Sequence, residues 1–204
     1  MDKRFIKKAM DAIAARDTHV AAQLEKVGYP EPRKRPAGFE AFLKTIISQQ
    51  ISNAAAATIQ ARVMDCLPEI SAQALLATPV TSLREAGMSQ RKVEYAQGVA
   101  QAIVDGTFNL KALEKMDDQS AIEHIVQLRG FGVWSAEIYL MFSLGRKDIF
   151  PADDLIIRQS LQTLKRKRNK VTAGKARAIT KCWAPYRSAG SLFLWHIHAQ
   201  SKQN

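Results

Sequence analysis

The sequence predicts an all-α protein, and three observations carry that prediction. Apolar residues recur every three or four positions over most of the chain, and β-branched residues never alternate with polar ones long enough for a strand. Serine, aspartate, asparagine and glycine also fall where helices must start and stop. With 204 residues, 47% of them hydrophobic, one globular unit or two small lobes has ample material for a core.

Taken in order, Ile6, Met10, Ile13, Val20, Leu24 and Val27 keep helical spacing and predict one amphipathic helix over the first 27 residues. "GYPEPRKRPAG", about residues 28–38 with three prolines, ends it and makes the one clear linker. "FEAFLKTIISQQ" and "NAAAATIQARVMDCL" predict two helices meeting at "QQIS", where Ser52 or Asn53 can cap the second. Shorter helices are expected at "SAQALLAT" and "VTSLREAG". A longer one begins at Ser89 and closes at Gly106. "SAIEHIVQL" offers a capping box from Ser120 to Glu123, "VWSAEIYLMFSL" ends at Gly145, and "DLIIRQSLQTL", "AGKARAITKCW" and "RSAGSLFLWHIHAQS" complete about ten helices. No internal repeat is visible.

Charge is segregated. From Leu155 to the C-terminus there is no acidic residue, while eleven basic ones occur: Arg158, Lys165, Arg166, Lys167, Arg168, Lys170, Lys175, Arg177, Lys181, Arg187 and Lys202. The first 154 residues hold 19 basic and 19 acidic side chains, so the whole +11 excess sits in the last quarter. A solvated basic face is one reading; a polyanionic partner, nucleic acid first, is the other, because each cation set against a phosphate releases counterions. A membrane surface would want an apolar face opposite the charges, which "KRKRNK" does not have.

Several classes are excluded. Charges interrupt the N-terminal segment too often for a secretory signal, and "AGSLFLWHIHA" is too short to span a bilayer, so an intracellular protein is expected, in the cytoplasm on the nucleoid if bacterial or in the nucleus if eukaryotic. Cys66 and Cys182 have no CxxC or CxxH neighbours, and His19, His124, His196 and His198 include no i, i+4 pair, which argues against zinc and iron–sulfur ligation.

"LRGFGVW", Leu128 to Trp134, interrupts a helical pattern with Gly130 and Gly132, each costing about 1 kcal/mol inside a helix. A helix, a glycine turn and a second helix expose several N–H groups at the positive end of a dipole, which suits a phosphate held without reading bases. An ordinary helix–helix corner satisfies the same seven residues.

The stretch "LRGFGVWSAEIYLMFSLGRKDIFPADDLIIRQSL" resembles the helix-hairpin-helix DNA glycosylase superfamily. The combination of "IISQQIS", "SQRKVEYAQGVA", Trp134 just past the hairpin, and "WAPYRSAGSLFLW" is similar to its alkylation-repair branch, the DNA-3-methyladenine glycosylase II type. The likeness runs from about residue 36 to 198. It implies one glycosylase unit with a cleft between two lobes, lobe A at about residues 36–144 and lobe B at about 1–35 plus 145–204.

The resemblance also implies roles. Asp154, second of the pair in "PADD", corresponds to the essential aspartate, although Asp153 and Asp154 also read simply as helix caps. Trp134 and Trp195 correspond to the walls of an aromatic pocket for a cationic base, with core packing the alternative for each. Ile138 stands where one relative has a pocket tyrosine, and Trp183 is expected in the core. Trp134 also occupies the position of the lysine of bifunctional relatives, so hydrolysis without strand cleavage is implied. Gln50 aligns with the side chain that fills the gap left by a flipped nucleotide, or is a polar helix corner. Gln49, Gly130, Gly132, Ser135, Lys165, Arg166 and Arg129, the last replacing a usual hairpin proline, correspond to DNA contacts. No cofactor is required. A sodium or potassium ion on the backbone carbonyls of Val126, Leu128 and Phe131 is implied by the family alone.

The expected activity is release of 3-methyladenine and 7-methylguanine from double-stranded DNA by a monomer with no membrane partner. Excision of hypoxanthine or ethenoadenine, or DNA binding without catalysis, are the alternatives.

Overall fold

The computed structural model describes residues 1–201; Lys202, one of the eleven basic positions, lies outside the described residues. In order the helices are α1 (Lys3–Ala14), α2 (Thr18–Val27), α3 (Phe39–Ser48), α4 (Asn53–Asp65), α5 (Ala72–Ala77), α6 (Val80–Glu85), α7 (Gln90–Val104), α8 (Asp118–Val126), α9 (Val133–Phe142), α10 (Leu155–Leu164), α11 (Ala173–Ile179) and α12 (Arg187–Gln200). Short 3-10 turns lie at Ala112–Glu114 and Thr180–Trp183. The described residues contain no strand, so the all-α expectation holds. None of these helices is long and apolar enough to cross a membrane.

Three boundaries differ from expectation, each for a local reason. The N-terminal helix is two helices: Asp17 adopts extended backbone and its carboxylate accepts from Val20 N at 3.4 Å, starting α2. The apolar spacing ran through this break because Ile6, Met10, Ile13 and Val20 are all buried. The start of α8 is capped by Asp117, not Ser120: Asp117 accepts from Ser120 N at 2.9 Å and Ser120 Oγ at 2.6 Å. The "AGKARAITKCW" helix tightens into 3-10 geometry after Ile179. Ser52 and Ser89 cap α4 and α7, and Gly106 follows α7 at φ +73.

The chain divides into two compact units, one of Met1–Lys34 with the chain from Leu140 on, the other Arg35–Tyr139. In the middle unit α3, α5 and α6 pack against α7, burying Phe42, Leu43, Ile46, Ile47, Leu75, Val93 and Val99. Each large apolar side chain so buried contributes about 1.5–3 kcal/mol. The Phe42 ring meets Phe108, Phe131 and Tyr139 at centroid distances of 5.4, 5.1 and 4.6 Å.

In the terminal unit α10 and α1 pack on α12, and α2 packs on α1 and α10. At its centre Trp183 is wholly buried; its Nε1–H donates to Asp17 Oδ2 at 2.7 Å and its ring meets Phe150 edge-on at 6.2 Å. Lys165 donates to the same Asp17 oxygen, and the side chains of the pair are only 14% and 2% exposed. Burial pushes the Asp17 carboxyl up, but the Lys165, Trp183 and Val20 donors together outweigh it and hold the group below the usual carboxylate range. Gly190, inside α12, faces the indole: a Cβ there would lie 2.4 Å from Trp183 Cε3.

Candidate active site

The break at "LRGFGVW" is a tight connection between α8 and α9. Leu128 N donates to Ile125 O at 3.1 Å and Phe131 N to Leu128 O at 3.0 Å, and Gly130 takes φ +94, where a side chain is strained. A Cβ on Gly130 would lie 2.4 Å from the Tyr95 ring, so glycine is required here by the fold itself. Gly132 is different. Its φ is ordinary and nothing lies within 4 Å of an added Cβ, so no internal contact explains its missing side chain. Phe131 and Leu128 are buried at 7% and 8% exposure, while Val126, the last residue of α8, is 38% exposed.

The corner between α3 and α4 is tied to this turn. Gln49 Nε2 donates to Gly130 O at 2.8 Å, and Lys92 Nζ to Ile47 O at 2.7 Å at the C-terminal end of α3, where a cation meets the negative dipole pole. Burial lowers the Lys92 ammonium from its ordinary value. Gln49, expected as a DNA contact, thus spends its amide N–H inside the protein, positioning the hairpin. Gln50, beside it, is exposed and sits at φ +58, a left-handed conformation rare outside glycine and asparagine. Arg129 lies over the Tyr95 ring at 5.7 Å. Tyr95 and Lys92 are both from "SQRKVEY", whose spacing places them on one face of α7. The three-residue spacing of Lys92 and Tyr95 is the signal in the sequence for this support of the hairpin.

On α9, Trp134 is 41% exposed, far more than a core indole. Ser135 and Ile138 are 7% and 5% exposed, so almost no surface of either meets solvent.

In the other unit, Asp154 is the N-cap of α10: Oδ1 accepts from Ile157 N at 2.9 Å, and its own N–H donates to Pro151 O at 3.0 Å. It is half-buried, whereas Asp153 is exposed and 3.9 Å from Arg177. Charged and hydroxyl side chains brace the preceding strand of chain. Arg177 Nη1 donates to Phe150 O at 3.1 Å; Arg187 donates twice to Asp148, Nε and Nη2 at 2.8 Å each; Ser188 Oγ accepts from Ile149 N at 2.9 Å. Arg187 and Ser188 come from "WAPYRS", the signal that could have revealed this support. Trp195 on α12 is half-buried, its ring 5.8 Å from Phe142.

The basic run needs a correction. Lys165, expected at a DNA phosphate, is turned inward to Asp17 and is not a free surface cation. Arg166 is exposed and adopts φ +49 where α10 ends, with Arg166 N bonded to Thr163 O and Lys167 N to Gln162 O, both at 3.0 Å. That is the Schellman arrangement, with arginine where glycine is usual.

A described fold that is all-helical, with two helices joined by a tight glycine turn, is that of helix-hairpin-helix proteins. Residues 43–185 match the family model described as HhH-GPD superfamily base excision DNA repair protein, and the chain belongs to that superfamily. DNA-3-methyladenine glycosylase 1 of Schizosaccharomyces pombe is 31% identical over 171 residues, covering 80% of this chain and 72% of that protein. A Bacillus subtilis relative is 30% identical over 167 residues, which are 77% of this chain and 58% of its own length. Among solved structures, the 3-methyladenine DNA glycosylase of Schizosaccharomyces pombe in complex with abasic DNA superposes with a TM-score of 0.82 at 27% identity, over 92% of this chain and 95% of that one.

Proposed function

We propose that this chain is a monomeric DNA glycosylase that hydrolyses the N-glycosidic bond of alkylated purines, 3-methyladenine and 7-methylguanine, and leaves the strand intact. The observation that carries the reading is Asp154: a half-buried carboxylate fixed at a helix start, in a turn braced from Arg177, Arg187 and Ser188. The names of the relatives support it.

Breaking the bond between the sugar and the purine sends the electron pair to the base and leaves positive charge on the sugar. A fixed carboxylate lowers the energy of that charge and orients the water that attacks the sugar carbon. An N-alkylated purine is itself cationic, so it leaves readily and stacks on indoles, the part given to Trp134 and Trp195. Ile138, one turn after Trp134 on α9, shares its helix face and backs the same base. With tryptophan rather than lysine at position 134, no amine is offered there for a Schiff base, and strand cleavage by that route is not expected.

The hairpin amides around Gly130 and Gly132, with Ser135 N–H, hold phosphate; the open space at Gly132 supports a close backbone approach. Gln50 enters the duplex where the base leaves, and Arg129 and Arg166 add phosphate contacts. The carbonyl of Val126 at the end of α8 and those of Leu128 and Phe131 in the turn are neutral oxygens of the kind a monovalent cation takes, and Leu128 O, which already accepts from Phe131 N, keeps a second lone pair for it. Such an ion would fix the hairpin and take no part in bond breaking.

The test is base release from a methylated duplex. Wild type frees methylpurine and nicks the strand only after alkali; Asp154→Asn, which preserves the cap, loses about a hundredfold or more in single-turnover rate. Binding without release would mark a non-catalytic module, preferential release of hypoxanthine or ethenoadenine another lesion, and nicking without alkali a lyase.

A further inference from the structure

Beyond Arg166 the chain turns back toward α11 and leaves a cavity of about 390 Å³ within the terminal unit. Lys167, Arg168, Lys170 and Lys175 stand around it, with Val171 and Ile179 among its lining. The proposed hydrolysis uses none of the six. Val171 is 3% exposed and holds the cavity wall in place, while Ile179 is half-buried. Among the described residues none of the four cations forms an ion pair, and the chain has no acidic residue after Asp154 to supply one. Four like charges are therefore held around one recess without compensation.

A basic surface alone would suit duplex DNA, but the lining of the recess weighs against duplex as the occupant. The recess has an apolar lining, and the phosphates that would meet its cations carry no protruding apolar group to fill it. The volume lies toward the lower end of small-ligand pockets, suited to one or two side chains rather than a folded face.

We infer that this cavity docks an acidic peptide segment of a partner protein, one large apolar side chain seated on Ala178 and Ile179 against the wall that Val171 backs, and flanking carboxylates against Lys167, Arg168, Lys170 and Lys175. The apolar anchor supplies about tenfold to a hundredfold in affinity and the charges supply approach and salt sensitivity.

Fluorescence anisotropy with a labelled peptide of aspartates around one phenylalanine tests it, against the same peptide with serine for phenylalanine and against a short undamaged duplex. Micromolar binding of the first peptide is expected, with the serine peptide about tenfold weaker. Lys175→Glu and Ile179→Ser each weaken the first peptide about tenfold while duplex affinity moves less than about twofold. Melting temperatures of both variants confirm folding. Equal binding of the two peptides, no binding of either, or a parallel loss of duplex affinity in Lys175→Glu overturns the inference, the last assigning the cavity to the nucleic-acid surface.

Discussion

The hairpin between α8 and α9 and the turn before α10 are held in place by opposite means. The hairpin depends on a missing side chain, at Gly130, and on one neutral amide bond from Gln49. The turn that carries Asp154 depends on charged groups reaching in from two sides, Arg177 to Phe150 O and Arg187 to Asp148. The difference fits what each is proposed to present. A backbone surface for a phosphate must stay bare, whereas a carboxylate must be aimed, and salt-bridged side chains aim the chain that bears it.

The comparison is sharpened by a third case, the buried Asp17–Lys165 pair, where the largest effect is expected. Lys165→Met leaves Asp17 buried beside Trp183 without its cation and should cost about 3–5 kcal/mol, read from chemical denaturation. The wild-type protein carries the related acid sensitivity. Because the folded Asp17 carboxyl is held below its unfolded value of about 3.9, its stabilisation is fully present above that pH and is lost as pH falls through the lower, folded value. A stability profile flat through that range in wild type would remove the ionic account.

Gly130→Ala meets both the Tyr95 ring and an unfavourable φ and should lose about 2–4 kcal/mol, while Gly132→Ala should change stability by less than about 0.5 kcal/mol and still weaken duplex binding. If both cost the same in stability, the division between a glycine for the fold and a glycine for the ligand fails. Arg166→Gly runs the other way: relief of the left-handed backbone should stabilise by about 1 kcal/mol, while loss of one phosphate contact reduces the salt slope of duplex binding by about 1.

Local signals were readable in the sequence where the physics is local. Ser52 and Ser89 stand directly before apolar runs and cap α4 and α7, and two glycines in three residues break the helix pattern at Gly130. Asp17 escaped because the α1–α2 break preserves the apolar phase, so spacing alone could not see it. Asp117 lost out to Ser120 for a similar reason: both residue types cap, and only backbone geometry chooses between them.

Partnerships across the chain were not readable at all. Gln49 and Gly130 are 81 residues apart, Asp17 and Lys165 are 148 apart, and no local rule links either pair. That is why Lys165 read as one more surface cation. Arg187 and Ser188 were visible only as members of a motif, their support of the Asp148–Ile149 segment unstated.

A helix-propensity scale would pick Gly190 as the simplest place to improve the last helix, since alanine there ought to help by about 1 kcal/mol. The notch it leaves is occupied, however, by the edge of the Trp183 ring. One added methyl would lever that ring away from its acid and slacken the lysine pinned to the same oxygen, so the thermostable variant a designer would order first is the one that loosens three helices at once.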